Sequence, residues 1–223
     1  LGWCYRLLGN SKKALEYLNK AKEEGRNDTW INKEIGICYK NLDKKEEALE
    51  YFLKVVEINE EDKNSISDIA WLYNGLGQYD EGLKYVKKAI KLGRNDAWIN
   101  VEMALCYENL EEHEKALEYA LIAYELDKND VHVLSELGVI YGCMEKYEEA
   151  LSFLIRAEKL DKNDEWINTE IAINLERSGK VNEGIKRLKK SLTMVGEDDI
   201  DRKIIINSEL AWFYGKLEES KTD

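Results

Sequence analysis

The chain has 223 residues and no proline, with 45 acidic against 33 basic side chains, for a formal charge of −12. That balance excludes a general nucleic-acid or anionic-membrane binder, because both need positive charge to displace counterions. A hydrophobic share of 44% beside 35% charged residues fits a water-soluble domain built from good helix formers.

Self-similarity organises the chain. Segments beginning Thr29, Lys63, Ala97, Val131 and Glu165 align without gaps at a constant 34 residues. Residues 1–28 form a partial repeat, and full repeats span 29–62, 63–96, 97–130, 131–164 and 165–198. In the first half of each repeat an apolar, a small and usually a tyrosine residue hold places 7, 8 and 11: Ile35, Gly36, Tyr39; Ile69, Ala70, Tyr73; Met103, Ala104, Tyr107; Leu137, Gly138, Tyr141. The last repeat departs, with Ile171, Ala172 and Leu175. The second halves carry Ala48, Gly82, Ala116, Ala150 and Gly184 near their starts, and small residues there let two helices approach closely. The joints end on Asp28, Asp62, Asp96, Asp130 and Asp164, each placed to cap the next first helix. A connection at 199–203, a terminal helix at about 204–217 and a frayed tail at 218–223 complete a single solenoid. The chain opens on Leu1 partway through a repeat, as a fragment of a longer protein would.

These residues resemble the tetratricopeptide repeat family over residues 1 to about 198. The resemblance implies an all-α, right-handed superhelical solenoid of antiparallel helix pairs, whose first helices line a concave groove that binds peptides. The family's proline near the end of each repeat is missing. Members that clamp the acidic tails of heat-shock chaperones use Lys, Asn and Arg on the groove wall. Lys33 and Asn64 alone do not rebuild that clamp, so no chaperone-tail binding is expected.

On a helical wheel, places 7, 8 and 11 form the packed face, and places 2 and 9 lie roughly 150° away. All six tryptophans fall on those two places: Trp30, Trp98 and Trp166 at place 2 of alternate repeats, Trp3, Trp71 and Trp212 at place 9 of repeats between. The near-identical strings RNDTWINKE, RNDAWINVE and KNDEWINTE give the same 68-residue double period. The indoles either stripe the groove as ligand anchors or pack across joints onto neighbouring repeats. Place 6 is acidic throughout, at Glu34, Asp68, Glu102, Glu136, Glu170 and Glu209. Carboxylates between indoles suit a basic and apolar segment, through ion pairs and cation–π contact; a solvated charged face is the plainer reading. His132 stands where other repeats carry tryptophan and is a further groove candidate.

Chemistry is not indicated. Cys4, Cys38, Cys106 and Cys143 lack CxxC spacing and read as small buried thiols. His113 and His132 lack partners at zinc spacing, no phosphate-loop or nucleophile-elbow string is present, and neither an enzyme nor a cofactor or metal is expected. No membrane span or signal peptide is visible, which points to the cytoplasm. The Lys, Asn, Glu and Ile richness points to an AT-rich bacterial genome. The expected function is a protein- or peptide-binding scaffold. The alternatives are a peptide-sensing module of a larger regulator and a self-associating structural solenoid.

Overall fold

The structure, a computed structural model, describes residues 1–219. Thirteen α-helices and no strand occur among them: α1 Gly2–Leu7, α2 Ser11–Glu23, α3 Thr29–Asn41, α4 Lys45–Ile58, α5 Lys63–Gly75, α6 Tyr79–Lys91, α7 Ala97–Asn109, α8 His113–Leu126, α9 Val131–Cys143, α10 Tyr147–Leu160, α11 Glu165–Arg177, α12 Val181–Met194 and α13 Ile200–Glu219. The chain divides into two compact units, Leu1–Glu111 and Glu112–Asp223. Within each, successive helices pack in chain order, as an all-α helical-repeat solenoid requires.

Two local devices set the repeat. Each joint aspartate caps the following helix: the carboxylates of Asp28, Asp62, Asp96, Asp130 and Asp164 accept from the amides of Ile31, Ser65, Ile99, Val133 and Ile167 at 2.8–3.0 Å. Inside each repeat the turn passes through a left-handed residue: Gly9, Asp43, Gly77, Glu111, Glu145 or Gly179, with φ between 55° and 83°. These recur every 34 residues. The following amide then reaches back to the carbonyl of place 11, as from Gln78 to Tyr73 at 2.8 Å and from Lys146 to Tyr141 at 2.9 Å, closing the helix end.

Place 8 of the first helix packs on place 24 of the second, and three glycines at place 8 face large partners. A Cβ on Gly36 would meet the ring of Phe52 at 3.1 Å, one on Gly2 the Leu18 side chain at 2.7 Å, and one on Gly138 would collide with Leu154. Where place 8 is alanine the partner varies, Val86 with Ala70 and Leu188 with Ala172, all fully buried. In the first unit Ala14, Leu18, Ile31, Ile35 and Cys38 form one such core. In the second, Leu134, Leu154, Ile167 and Ile171 form another, and Ala172, Leu188, Ile206, Leu210 and Phe213 bring α13 onto α12.

Three details differ from the sequence reading. Helix α13 starts at Ile200, not near 204, because Asp199 accepts from the Arg202 amide at 3.1 Å and caps it there. Of the expected tail, Glu218 and Glu219 continue α13, and residues 220–223 lie outside the described residues. Cys38 and Cys106 are buried, but Cys4 is exposed and Cys143 half-buried. None of the four forms a disulfide, and burial pushes the Cys38 thiol up to about 11, which keeps it protonated.

Candidate functional site

The first helices of the first unit carry an open pocket of about 390 Å³ lined by Lys40, Asn64, Asp68, Trp71, Arg94 and Trp98. Place 9 of α5 and place 2 of α7 thus bring two indoles to one site. Each is half-buried, and each already has a cation on its face: Lys40 Nζ lies 5.5 Å from the Trp71 ring centroid and the Arg94 guanidinium 4.7 Å from that of Trp98. Lys40 is held by Asp68 at 2.5 Å and Arg94 by Asp96 at 2.7 Å.

The Arg94 geometry has a local cause. In the string GRND the glycine turns the chain with positive φ (Gly25 97°, Gly93 86°). The arginine then folds back on the capping aspartate and over the tryptophan four residues on. Arg26 does the same with Asp28 and Trp30, its guanidinium 5.3 Å from the ring. The Arg-x-x-x-Trp spacing is visible in sequence and marks this stack.

The other tryptophans are distributed as follows. Trp3, Trp30 and Trp212 are 46%, 45% and 59% exposed. Lys216 lies over Trp212 at 5.1 Å. Trp166 packs against the Leu134–Ile171 core and lines a second cleft of about 260 Å³ with Glu165, Glu170, Glu209 and Arg202. There Arg202 pairs with Glu165 at 3.1 Å. His132 is exposed on α9.

Place 6 divides. Glu34, Glu102 and Glu136 are each only 7% exposed. In the first unit the carboxylate is taken by place 12 of the preceding first helix, 28 residues earlier. Arg6 forks onto Glu34 at 2.5 and 3.3 Å, Lys40 holds Asp68, and Asn74 Nδ2 donates to Glu102 at 2.7 Å. Asn74 Oδ1 also lies 3.0 Å from the Cys106 thiol, and its side chain occupies the space that a Cβ on Gly82 would need. Burial raises Glu102 to about 7, against the opposing pull of Asn74 and Arg94. These carboxylates tie repeat to repeat, and Glu170 and Glu209 remain beside an indole at a cleft.

Among the described residues no group of His, Cys, Asp and Glu could hold a metal, and no helix is long and apolar enough to cross a membrane.

Helix pairs repeated every 34 residues, with indoles and charged groups left accessible on their first helices, define an all-α repeat protein of the interaction class. The chain belongs to the tetratricopeptide repeat family: the profile of that family matches residues 1–24, 34–62, 65–96 and 131–164, more than half of the length. Among curated proteins none matches the chain in sequence. Solved structures of similar fold include the APC/C hetero-tetramer Cut9–Hcn1, at TM-score 0.80 and 18% identity over 94% of this chain. The chain spans 40% of that longer protein. A thermophilic tetratricopeptide protein of Thermus thermophilus, TTC0263, superposes at TM-score 0.72 and 18% identity, over 82% of this chain and 99% of its own. YrrB, described as a tetratricopeptide protein with an unusual peptide-binding site, gives 0.57 and 18% over 87% of this chain and 99% of its own. Such repeats in general mediate protein–protein contact.

Proposed function

We propose that the chain is a scaffold that captures a peptide segment of a protein partner on its first-helix face, anchored at the Trp71 and Trp98 pocket. The observation that carries this is the convergence of two half-buried indoles from different repeats on one open pocket. Buried aromatic anchors at the centre of a patch dominate binding energy. Lys40, Arg94 and Asn64 at the same pocket supply donors for the carbonyls of an extended segment, so the pocket suits an apolar side chain set in a polar backbone. The basic character expected from the acidic places belongs elsewhere, since Lys40 and Arg94 already cover the indoles. It suits the Trp166 cleft, which Glu165, Glu170 and Glu209 line and where Glu165 already holds Arg202. YrrB, with its peptide-binding site on a related fold, supports the reading by analogy.

The test is a peptide array probed with the intact chain, followed by titration of the best peptide. The W71A/W98A variant should lose affinity at least about tenfold, the range of a hot-spot truncation, with its helical circular dichroism retained. Unchanged binding by that variant would overturn the reading.

A further inference from the structure

On the second-helix face of the second unit, between α10 and α12, lies an open cleft of about 950 Å³. It owes its existence to one repeat breaking the pattern of the others. In the earlier repeats places 11 and 23 carry rings that stack across the helix pair: Tyr5 on Tyr17, Tyr39 on Tyr51, Tyr73 on Tyr85 and Tyr141 on Phe153, with centroids 5.3–5.6 Å apart. In the second unit Tyr124 adds an edge-on ring to Phe153, and Arg156 lies over both while donating to the Tyr124 hydroxyl at 2.9 Å. Thirty-four residues on, every member of that cluster has changed: Tyr141 becomes Leu175, Phe153 becomes Arg187, Tyr124 becomes Glu158 and Arg156 becomes Lys190. Three rings are gone, and a leucine, an arginine and a carboxylate stand in their places. Glu158 is shared by Arg187 and Lys190 at 2.5 Å each.

The void keeps an apolar floor of Leu151, Ile155, Ile171 and Leu175, and its rim carries Lys180, Lys186, Arg187 and Lys190 against Glu148 and Glu183. Lys180 and Lys186 stand exposed on it, and among the described residues neither has an ion-pair partner. Helix α12 carries Lys186, Arg187, Lys189 and Lys190 against Glu183 alone, in a chain whose formal charge is −12. Local positive charge on an acidic protein, set around apolar surface that a ring fills in sister repeats, specifies its complement.

We propose that this cleft docks an acidic peptide segment of a partner protein. The segment bears an aromatic side chain that takes the place of the missing ring pair, and carboxylates that meet Lys180 and Lys186. The ring lies on Leu175 and Ile155 against the Arg187 guanidinium, and the rim pairs make the affinity fall with added salt. This surface is separate from the Trp71 and Trp98 pocket and does not depend on it.

The probe is a fluorescein-labelled nonapeptide with one central phenylalanine among aspartates and glutamates, read by fluorescence anisotropy. Saturable binding below about 1 mM is expected for the wild type. The L175Y/R187Y variant restores the ring pair of the other repeats and fills the cleft. It should weaken binding at least about tenfold, as should K180E/K186E and a probe with alanine for phenylalanine, whereas W71A/W98A should bind as the wild type does. Absence of saturable binding, or equal affinity in L175Y/R187Y at unchanged thermal stability, overturns the proposal. So does wild-type dimerisation in sedimentation that L175Y/R187Y abolishes, which would assign the cleft to a second copy.

Discussion

Replacement of Glu102 by glutamine should raise stability at neutral and alkaline pH, the reverse of what removing an ordered carboxylate usually does. Glu102 lies on α7 with 7% of its surface exposed and accepts one hydrogen bond from Asn74 at 2.7 Å. Burial lifts its ionisation from 4.5 to about 7. A carboxyl raised in the folded state leaves the unfolded chain with fewer bound protons between pH 4.5 and 7, so stability falls as pH rises through that window. The loss between pH 5 and pH 8 comes to about 2 to 3 kcal/mol, from about 1.4 kcal/mol per pH unit. Glutamine keeps an acceptor for Asn74 and carries no charge, so E102Q should match the wild type near pH 5 and exceed it by that amount at pH 8. Urea melts of both proteins at the two pH values measure this as a difference of differences. It cancels the contribution of titrating groups that the substitution leaves unchanged. An identical pH dependence in the two proteins would refute the reasoning.

Three further outcomes are expected. At the left-handed turn positions, E111G and E145G should each stabilise by roughly 0.5 to 1 kcal/mol and G77A should destabilise by a similar amount, read from thermal melts, because only glycine adopts that backbone without strain. G138A should cost about 1 to 3 kcal/mol through collision with Leu154, and the added change L154V should recover most of it by reproducing the Ala70 and Val86 pair. Asp62 is pushed up by burial, but the Ser65 amide and Lys33 hold it below the usual carboxylate range, so its contribution is present above pH 4 and lost as pH falls below. D62N should retain the cap and be less sensitive to acid between pH 4 and pH 2 in a denaturant series.

The helices, their pairing and the capping aspartates were legible because 34-residue periodicity and Asp at each joint are properties of single segments. The start of α13 was not. GEDDID offers several acids in a row, and only the fold shows that Asp199 meets the Arg202 amide. The commitment of Glu34 and Glu102 was hidden for a different reason. A wheel drawn for one helix puts place 6 beside the packed face but cannot show the side chain that covers it from 28 residues away. A signal did exist, since place 12 reads Arg6, Lys40 and Asn74, hydrogen-bond donors in step with the acids. In the last repeat Leu175 was visible as a departure. What it opens follows only when Glu158, Arg187 and Lys190 are seen to have changed with it.

The donor at place 12 and the acceptor at place 6 also govern which repeats of the first unit could be exchanged. Loss of residues 63–96 would set Lys40 opposite Glu102, and loss of residues 29–96 would set Arg6 there. In both cases a full positive charge replaces the amide of Asn74, and the ionised form of Glu102 becomes the favoured one. Shortened chains of this kind would therefore join a pair of repeats more firmly at neutral pH than the present sequence does. The Asn74 junction leaves adhesion between these two repeats sensitive to protons near neutral pH.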